Sequence, residues 1–419
     1  MLLFQERYCM NIVKKSFLYL KKEGLRKTLA RTAGKTWEIL AHAPYQLEEK
    51  LFAQKYAARL QERIAGKKVY ILIPCIDWNI PIFQRPHQIA TVLAAEPDAH
   101  VLFVSDEYRY DNFAGMQTVS EHLDLVSWRI IPQLTQIYAA AESVTVFMSW
   151  PRQAALLEHI PYQKLVYEYI DDLSLFYYYT QELIDKHYAL IREADLTICT
   201  ARSLYEDALP YTQRILLSPN AGDYNFFHDN RDCAPRADLV EKVQGYHCVL
   251  GYYGCMASWF DYDLVLEVAR KKPDWCFVFV CYCFDGTIDR LNREKLPNII
   301  LYPAQPYQKL PSFITSFDIQ TIPFVIDDIT KATSPVKLFE YMASGKPILT
   351  SRLPECLQYE SVVTYRDADD FIQKAEQLLH EAPDSPYFQT MEKEAKENTW
   401  QARIDEILAY LEANPTDPV

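Results

Sequence analysis

A lone carboxylate, Glu340, lies in the mostly apolar stretch SPVKLFEYMASGKPIL (334–349). A helix there offers free backbone N–H groups at Val336, Lys337 and Leu338 and the positive end of its dipole, which suits a phosphate or diphosphate. Lys337 adds a cation, and Glu340 follows one turn later on the same side. A carboxylate so placed can accept hydrogen bonds from both hydroxyls of a ribose. The alternative is an ordinary capped helix whose Glu340 faces solvent or pairs with Lys337.

The ends of this helix are well specified. Ser334 can cap its N-terminus, Pro335 fits the first helical position and Gly345 can close its C-terminus. A second strand end, GYYGCMASWFDYDLV, carries Gly251 and Gly254, which let the backbone approach a ligand closely. Together the two segments predict one nucleoside diphosphate that bridges both loops.

Short apolar runs alternate with helix-length segments from residue 67, and the pattern starts again near residue 248. Runs that are apolar on both faces predict parallel sheets covered by helices on each side. We therefore expect two doubly wound, Rossmann-like α/β domains facing a cleft, with ligands at the carboxyl ends of the strands. The predicted strands are 69–75, 100–105, 144–149, 164–170, 196–200, 214–218, 248–254, 276–282, 298–303, 318–324, 347–351 and 361–365.

Composition indicates a globular protein with room for two domains, since hydrophobic residues make up 49% and charged residues 24% of 419. No apolar run approaches the ~20 residues that span a bilayer. The first residues lack an apolar core after a basic start, so a signal peptide is not expected. Ten cysteines without a framework fit reduced thiols in the cytoplasm.

The charge is distributed unevenly. Residues 1–70 carry fifteen Lys/Arg and six Asp/Glu, a net charge of +9. Because the whole chain carries −13, the residues after 70 carry −22. Residues 10–40 interleave apolar and cationic side chains, which predicts a helix on an anionic membrane surface, peripheral to the inner membrane face. A helix docked on the body and a linker from a larger assembly are the alternatives. The acidic body has no basic stripe, so nucleic acid is not an expected partner.

The stretch 334–349 resembles the donor-binding helix of GT-B glycosyltransferases, in particular family 4 and the teichuronic-acid and capsular-polysaccharide group. The resemblance covers roughly 68–412 and extends to YYGCMASWFDYDLVLEVARKKPDW, LPNIILYPAQPYQKLPSFITSFDIQTIPF, LSPNAGDYNFF, DWNIPIFQRPHQIATVLA and YEYIDDLSLF. It implies that Glu340 binds the ribose of a nucleotide-diphosphate sugar, with no further cofactor required. It also implies transfer of the sugar to a lipid-linked or polysaccharide acceptor in cell-surface glycan synthesis.

The resemblance also suggests a division of the chain. The expected parts are a basic helical extension (1–66), an N-terminal acceptor domain (67–218), a connection (219–245), a C-terminal donor domain (246–365) and helices that cross back to the first domain (366–419).

One position departs from the retaining family 4 pattern, which has another Glu eight residues before the ribose-binding one. Ala332 stands there, and Asp327 and Asp328 are the nearby acids. Retaining and inverting transfer therefore both stay open.

Glycosyl transfer needs stabilisation of the leaving diphosphate and, for inversion, a base. We expect Arg85, after the first strand, to engage phosphate in the cleft, although it also fits a surface helix start. His87 is a candidate base or a structural residue. Asp171 and Asp172, after a buried strand, are candidates to position or deprotonate the acceptor, or to cap the next helix.

Aromatic side chains in LFYYYT (175–180) and Trp259 can present faces to sugar rings, although core or rim packing is the alternative. No metal-binding Asp-x-Asp stands at a strand end, because DYD (261–263) falls inside a predicted helix, so no metal is expected.

Two other functions share this pattern. A nucleotide-sugar 2-epimerase has the same two-domain fold, and a non-catalytic subunit that binds a nucleotide sugar would account for Ala332.

Overall fold

The structure, a computed structural model, describes residues 25–105, 110–173 and 180–413, with side chains from residue 44 onward. It contains two sheets, each covered by helices. The prediction of two doubly wound α/β domains is confirmed.

The first sheet has eight strands in the order β3-β4-β2-β1-β5-β6-β7-β8. Its strands are β1 Lys68–Ile73, β2 Ala99–Ser105, β3 Met116–Ser120, β4 Leu123–Ser127, β5 Ser143–Met148, β6 Lys164–Tyr169, β7 Leu196–Cys199 and β8 Ile215–Leu217. All neighbours pair in parallel except β3 and β4. This hairpin is not among the predicted strands, because β3 buries only Met116 and so lacks an apolar run.

The second sheet has six parallel strands in the order β11-β10-β9-β12-β13-β14. Its strands are β9 Cys248–Met256, β10 Trp275–Cys283, β11 Ile299–Pro303, β12 Ile319–Ile322, β13 Ile348–Ser351 and β14 Val363–Tyr365. The central strands β9 and β10 are buried on both faces, as expected of a sheet between two helical layers.

The α-helices are α1 Leu25–Ile64, α2 Arg85–Leu93, α3 Gln181–Glu193, α4 Arg202–Ala208, α5 Tyr224–Asp229, α6 Ala237–Val243, α7 Tyr262–Lys271, α8 Asp289–Glu294, α9 Pro311–Ile314, α10 Asp328–Lys331, α11 Val336–Ser344, α12 Ala368–Leu379, α13 Pro386–Glu397 and α14 Trp400–Glu412. Short 3-10 helices span Trp128–Gln133, Ile137–Ala140, Pro151–His159 and Tyr307–Lys309.

The described side chains of α1 dock on the first sheet. Buried Glu49 accepts hydrogen bonds from Arg129 and from the amide of Gly115. Near the other end Arg63 pairs with buried Asp124 at 2.5 Å. Residues 44–64 therefore follow the docked-helix alternative. Of the predicted membrane segment, residues 10–24 and all side chains up to residue 43 lie outside the described part, as does the aromatic cluster 175–179.

The two sheets are joined at the connection that follows β8. Asn220 donates from its side-chain nitrogen to the carbonyl of Ser334 (2.6 Å) and from its amide to the Ser334 hydroxyl (3.2 Å). Helix α14 packs back on α2, with Trp400, Ile404 and Ile407 in the core cluster of the first sheet. These contacts fix where α11 begins relative to the first sheet.

Candidate functional site

The buried carboxylate of Glu340 is the centre of the candidate site. It lies on α11 and is only 3% exposed. Its Oε2 accepts a hydrogen bond from the Tyr253 hydroxyl at 2.8 Å, whereas Oε1 has no partner among the described residues. Burial raises the pKa of Glu340 to about 7, although the hydroxyls of Tyr253 and Tyr307 and the Lys337 ammonium oppose the rise. An unpartnered buried carboxylate oxygen is costly, so this atom is suited to receiving donors from a ligand.

The start of α11 offers further groups for an anion. The helix begins at Val336, with Pro335 as its N-cap residue and no side-chain cap. The Leu338 amide already donates to the Pro335 carbonyl at 3.0 Å. In the part of the chain that the structure describes, no hydrogen bond uses the amides of Val336 or Lys337, so two of the three predicted donors remain for a phosphate.

The Lys337 ammonium has no carboxylate partner among the described residues. Its Nζ lies 5.3 Å from the ring centre of Tyr252 and 5.4 Å from that of Phe324. Burial lowers its pKa. Because no carboxylate among the described residues pairs with this side chain, an incoming anion would be its first close counter-charge and would raise its pKa again.

Gly254 brings backbone close to that lysine. Its φ is +134°, and a Cβ at this position would lie 2.7 Å from Lys337 Cε. Glycine is therefore required there for both conformation and space. The other predicted glycine, Gly251, has a packing role instead, because the ring of Phe317 fills the space where its Cβ would stand.

A second cleft lies at the carboxyl ends of the neighbouring strands β1, β5 and β6. It is lined in part by Cys75, Ser149, Glu168 and Asp171. Desolvation and then the charge of Asp172 raise the pKa of Asp171 to about 7, although the residue is exposed at the surface of the described structure. A carboxyl group that titrates near neutrality and reaches solvent can act as a base.

The acids near Ala332 are engaged elsewhere. Asp327 caps α10 by accepting from the Thr330 amide at 2.9 Å, and Asp328 pairs at the surface with Lys331. Ala332 itself is buried and joins the apolar cluster of the first sheet that includes Tyr169. The absent carboxylate is thus not replaced by either neighbour in this structure.

Residues 264–409 match the model of the family described as glycosyl transferase-like. TuaH of Bacillus subtilis strain 168, named as a teichuronic acid biosynthesis glycosyltransferase, is 28% identical over 232 residues, which are 53% of this chain and 57% of TuaH. The chain thus aligns with little more than half the length of that relative.

Solved structures match both sheets together. Anabaena HepE in complex with UDP-glucose has a TM-score of 0.59 at 12% identity, covering 82% of this chain and 99% of HepE. A trehalose 6-phosphate synthase from Burkholderia multivorans has a TM-score of 0.59 at 10% identity, covering 83% and 98%. The chain has the GT-B fold. At these identities, the solved structures establish the fold of the chain and nothing further.

Three predicted site residues of this GT-B chain have structural roles. Ser334 is not the N-cap of α11, since its hydroxyl accepts from Asn220 instead. Arg85 does not face an open cleft: it is 4% exposed, pairs with Glu168 at 2.8 Å and donates to the carbonyls of Ser218 and Pro219, while its Nη2 has no partner among the described residues.

His87 is fully buried, and both of its ring nitrogens are engaged. Nδ1 accepts from the Gln84 amide at 3.1 Å, and Nε2 donates to the Trp78 carbonyl at 2.9 Å. Burial lowers its pKa. Neither nitrogen remains for an acceptor hydroxyl, so His87 orders the loop after β1.

The aromatic side chains around Glu340 and Lys337 are not among the predicted site residues. Tyr253 binds Glu340, Tyr252 and Phe324 hold Lys337, and Tyr307 accepts from Gln88 of α2 at 3.1 Å. With thirty tyrosines in the chain, no single one stands out in the sequence. The pair Tyr252–Tyr253 within β9 is the available signal, because alternation along a strand sends the two rings to opposite faces.

Two further findings concern metals and membranes. Within the described residues, no group of three or more His, Cys, Asp or Glu side chains is arranged to hold a metal ion. No helix in the same part of the chain combines the length and apolarity needed to cross a bilayer.

Proposed function

We propose that the protein transfers a sugar from a nucleotide-diphosphate sugar to a lipid-linked or polysaccharide acceptor in the synthesis of a cell-surface glycan. The observation that carries the donor assignment is the free Oε1 of Glu340, buried one helical turn from the unbonded amides of Val336 and Lys337. A ribose offers two hydroxyl donors to the carboxylate, and the diphosphate meets the helix N-terminus. Uridine is the first base to test, because HepE was solved with UDP-glucose.

In this proposal the residues of the chain divide the work of transfer. The amides at the start of α11 and the Lys337 ammonium stabilise the charge that develops on the leaving diphosphate. Gly254 allows the backbone to approach the same phosphates. No metal takes part, since helix dipole and lysine supply the positive charge.

Asp171, with Asp172 beside it, is the proposed base that removes the proton of the acceptor hydroxyl. Its support is its place at the carboxyl end of β6 and a pKa of about 7, which matches a base working near neutral pH. A base on the acceptor side together with Ala332 favours inversion at the anomeric carbon. Inspection of the product by proton NMR tests this: the inverted anomer is expected, and the retained anomer would contradict the role of Asp171.

Calorimetric titration of UDP, GDP, dTDP and their common sugars tests the donor site. One nucleotide should bind, and Glu340→Ala should weaken it by about 1–3 kcal/mol because a ribose hydrogen-bond partner is lost. Glu355→Ala is a matched control, since that buried carboxylate caps α4 instead. No binding of any nucleotide, or equal binding by Glu340→Ala, would refute the site.

Turnover of the bound donor distinguishes the proposed reaction from the alternatives. Release of the nucleoside diphosphate with sugar transfer supports a transferase. Inversion at C2 without transfer would instead indicate an epimerase, and binding without chemistry a non-catalytic subunit.

We also propose that the basic N-terminal segment holds the enzyme at the cytoplasmic face of the membrane. Support comes from the net charge of +9 in residues 1–70 and from exposed Leu47, Leu51 and Phe52 on α1. Sedimentation with vesicles tests this: binding should require anionic lipid and fall with added salt. Equal binding to neutral vesicles would contradict the electrostatic part.

A further inference from the structure

An apolar patch lies at the carboxyl edge of the second sheet, apart from the buried donor groups. It consists of Trp259, Phe284 and Ile326, in the loops that follow the adjacent strands β9, β10 and β12. Phe284 is 67% exposed and Ile326 47% exposed. The rings of Trp259 and Phe284 are 6.0 Å apart and tilted by 36°. Core packing does not account for a phenylalanine left open to solvent beside a tryptophan.

Backbone hydrogen bonds hold the loops of this patch together. The Phe284 amide donates to the Met256 carbonyl at 3.1 Å, and the Val325 amide donates to the Trp259 carbonyl at 2.9 Å. The Ser258 amide donates to the Asp285 carboxylate at 2.9 Å. The rings are therefore positioned by the fold rather than left on a free loop, so little ordering is needed when a ligand binds.

The patch lies beside the region where the two sheets face each other. Tyr282, two residues before Phe284, has its hydroxyl 2.7 Å from the hydroxyl of Tyr110 on the first-sheet side. Cys255, between Gly254 and Met256, is close enough for the Lys337 charge to oppose the rise of its pKa. The patch therefore adjoins both the proposed diphosphate position and the opposing domain.

We propose that Trp259 and Phe284 form a platform that binds an uncharged sugar ring of the acceptor glycan. The proposal rests on the proposed glycosyl transfer. One face of a pyranose ring presents C–H groups, which pack on aromatic faces, while its hydroxyls point outward to polar partners. The Asp285 carboxylate beside Phe284 already accepts from Ser258 and Thr287 and has lone pairs left for a further donor.

The surroundings of the patch favour a sugar over a lipid surface. Asp285 and the acidic residues Asp327 and Asp328 border it, and the chain beyond residue 70 carries a net charge of −22. A bilayer would have to desolvate these carboxylates, and anionic lipids would be repelled.

Saturation-transfer NMR with cellotetraose and chitotetraose tests the platform. Saturation should reach the ring C–H protons of at least one of these saccharides in the wild type and should fall at least about fivefold in Phe284→Ala, as expected when an aromatic contact is lost. Because Phe284 is largely exposed, its replacement should leave folding intact. Phe52→Ala removes a ring that is 48% exposed on α1 and serves as the matched control for the saccharide signal only, because Phe52 belongs to the proposed membrane-binding surface.

Equal signals in the wild type and Phe284→Ala, or no signal from either saccharide in the wild type, would overturn the proposal. Loss of binding to anionic vesicles in Phe284→Ala would overturn it as well, in favour of a lipid contact. Calorimetry with UDP-glucose on the same variants separates it from the proposed function. Unchanged donor affinity in Phe284→Ala is expected. A wild type that binds saccharide through Phe284 but no nucleotide sugar would refute the donor site and leave the platform standing.

Discussion

The protonation state of Glu340 should control donor binding, because only the ionised carboxylate accepts hydrogen bonds from both ribose hydroxyls. Burial holds its pKa at about 7 in the ligand-free protein. Binding selects the ionised form, so the pKa falls in the complex and affinity rises with pH. If binding needs the ionised form alone, affinity at about pH 6 should be roughly tenfold lower than at about pH 8.

Calorimetry in buffers of different ionisation enthalpy measures the same linkage directly. Close to one proton, about 0.9, should be released per bound donor at about pH 6, and about 0.1 at about pH 8. The titrant is a nucleotide sugar rather than a free nucleoside diphosphate, because the terminal phosphate of the latter titrates in the same range. Glu340→Gln keeps the size of the side chain and should remove the pH dependence.

Asp171 has a pKa of about 7 as well, so Asp171→Asn is the second control. This variant should keep the pH dependence of binding, since Asp171 lies in the other cleft. Affinity that does not change with pH in the wild type, or that changes equally in Glu340→Gln, would refute the reasoning.

Three other predictions concern stability and the phosphate site. In the ligand-free protein, burial raises the pKa of Glu340 from 4.5 to about 7, so the free energy of unfolding should fall as pH rises between these two values. Glu340→Gln cannot ionise, and urea titrations should show that it reduces this fall by up to ~3 kcal/mol. Lys337→Met should weaken UDP by about 1.5–3 kcal/mol and leave uridine unchanged in calorimetry; equal losses would contradict a phosphate role. Gly254→Ala should lower Tm and UDP affinity, whereas Gly286→Ala, with open space around it, should cost only backbone strain.

The sequence predicted those features that depend on local spacing. The two sheets follow from apolar runs, and Glu340 and Lys337 share a face of α11 because they are three residues apart. Their surroundings depend on distant segments: the hydroxyl that binds Glu340 comes from 87 residues earlier in the chain. The prediction of Ser334 as the N-cap was wrong because it also depends on a distant segment: the Ser334 hydroxyl accepts a hydrogen bond from Asn220 of the interdomain connection.

Arg85 shows how a distant partner changes the role of a residue. The sequence places it after β1, where a cation could meet phosphate. In the structure, its Nε pairs with Glu168 of β6, and its Nη1 donates to the carbonyls of Ser218 and Pro219 after β8. Because both charges are nearly fully buried, Arg85→Met would leave Glu168 as an uncompensated charge, at a cost of about 3–5 kcal/mol. Arg270→Met, which removes an exposed pair with Glu294, should cost no more than about 1 kcal/mol. Urea denaturation of both variants decides between the two roles. A small loss for Arg85→Met together with weakened UDP binding would restore the phosphate role, whereas a large loss with unchanged UDP affinity in the folded fraction supports a residue that fixes the connection between the domains.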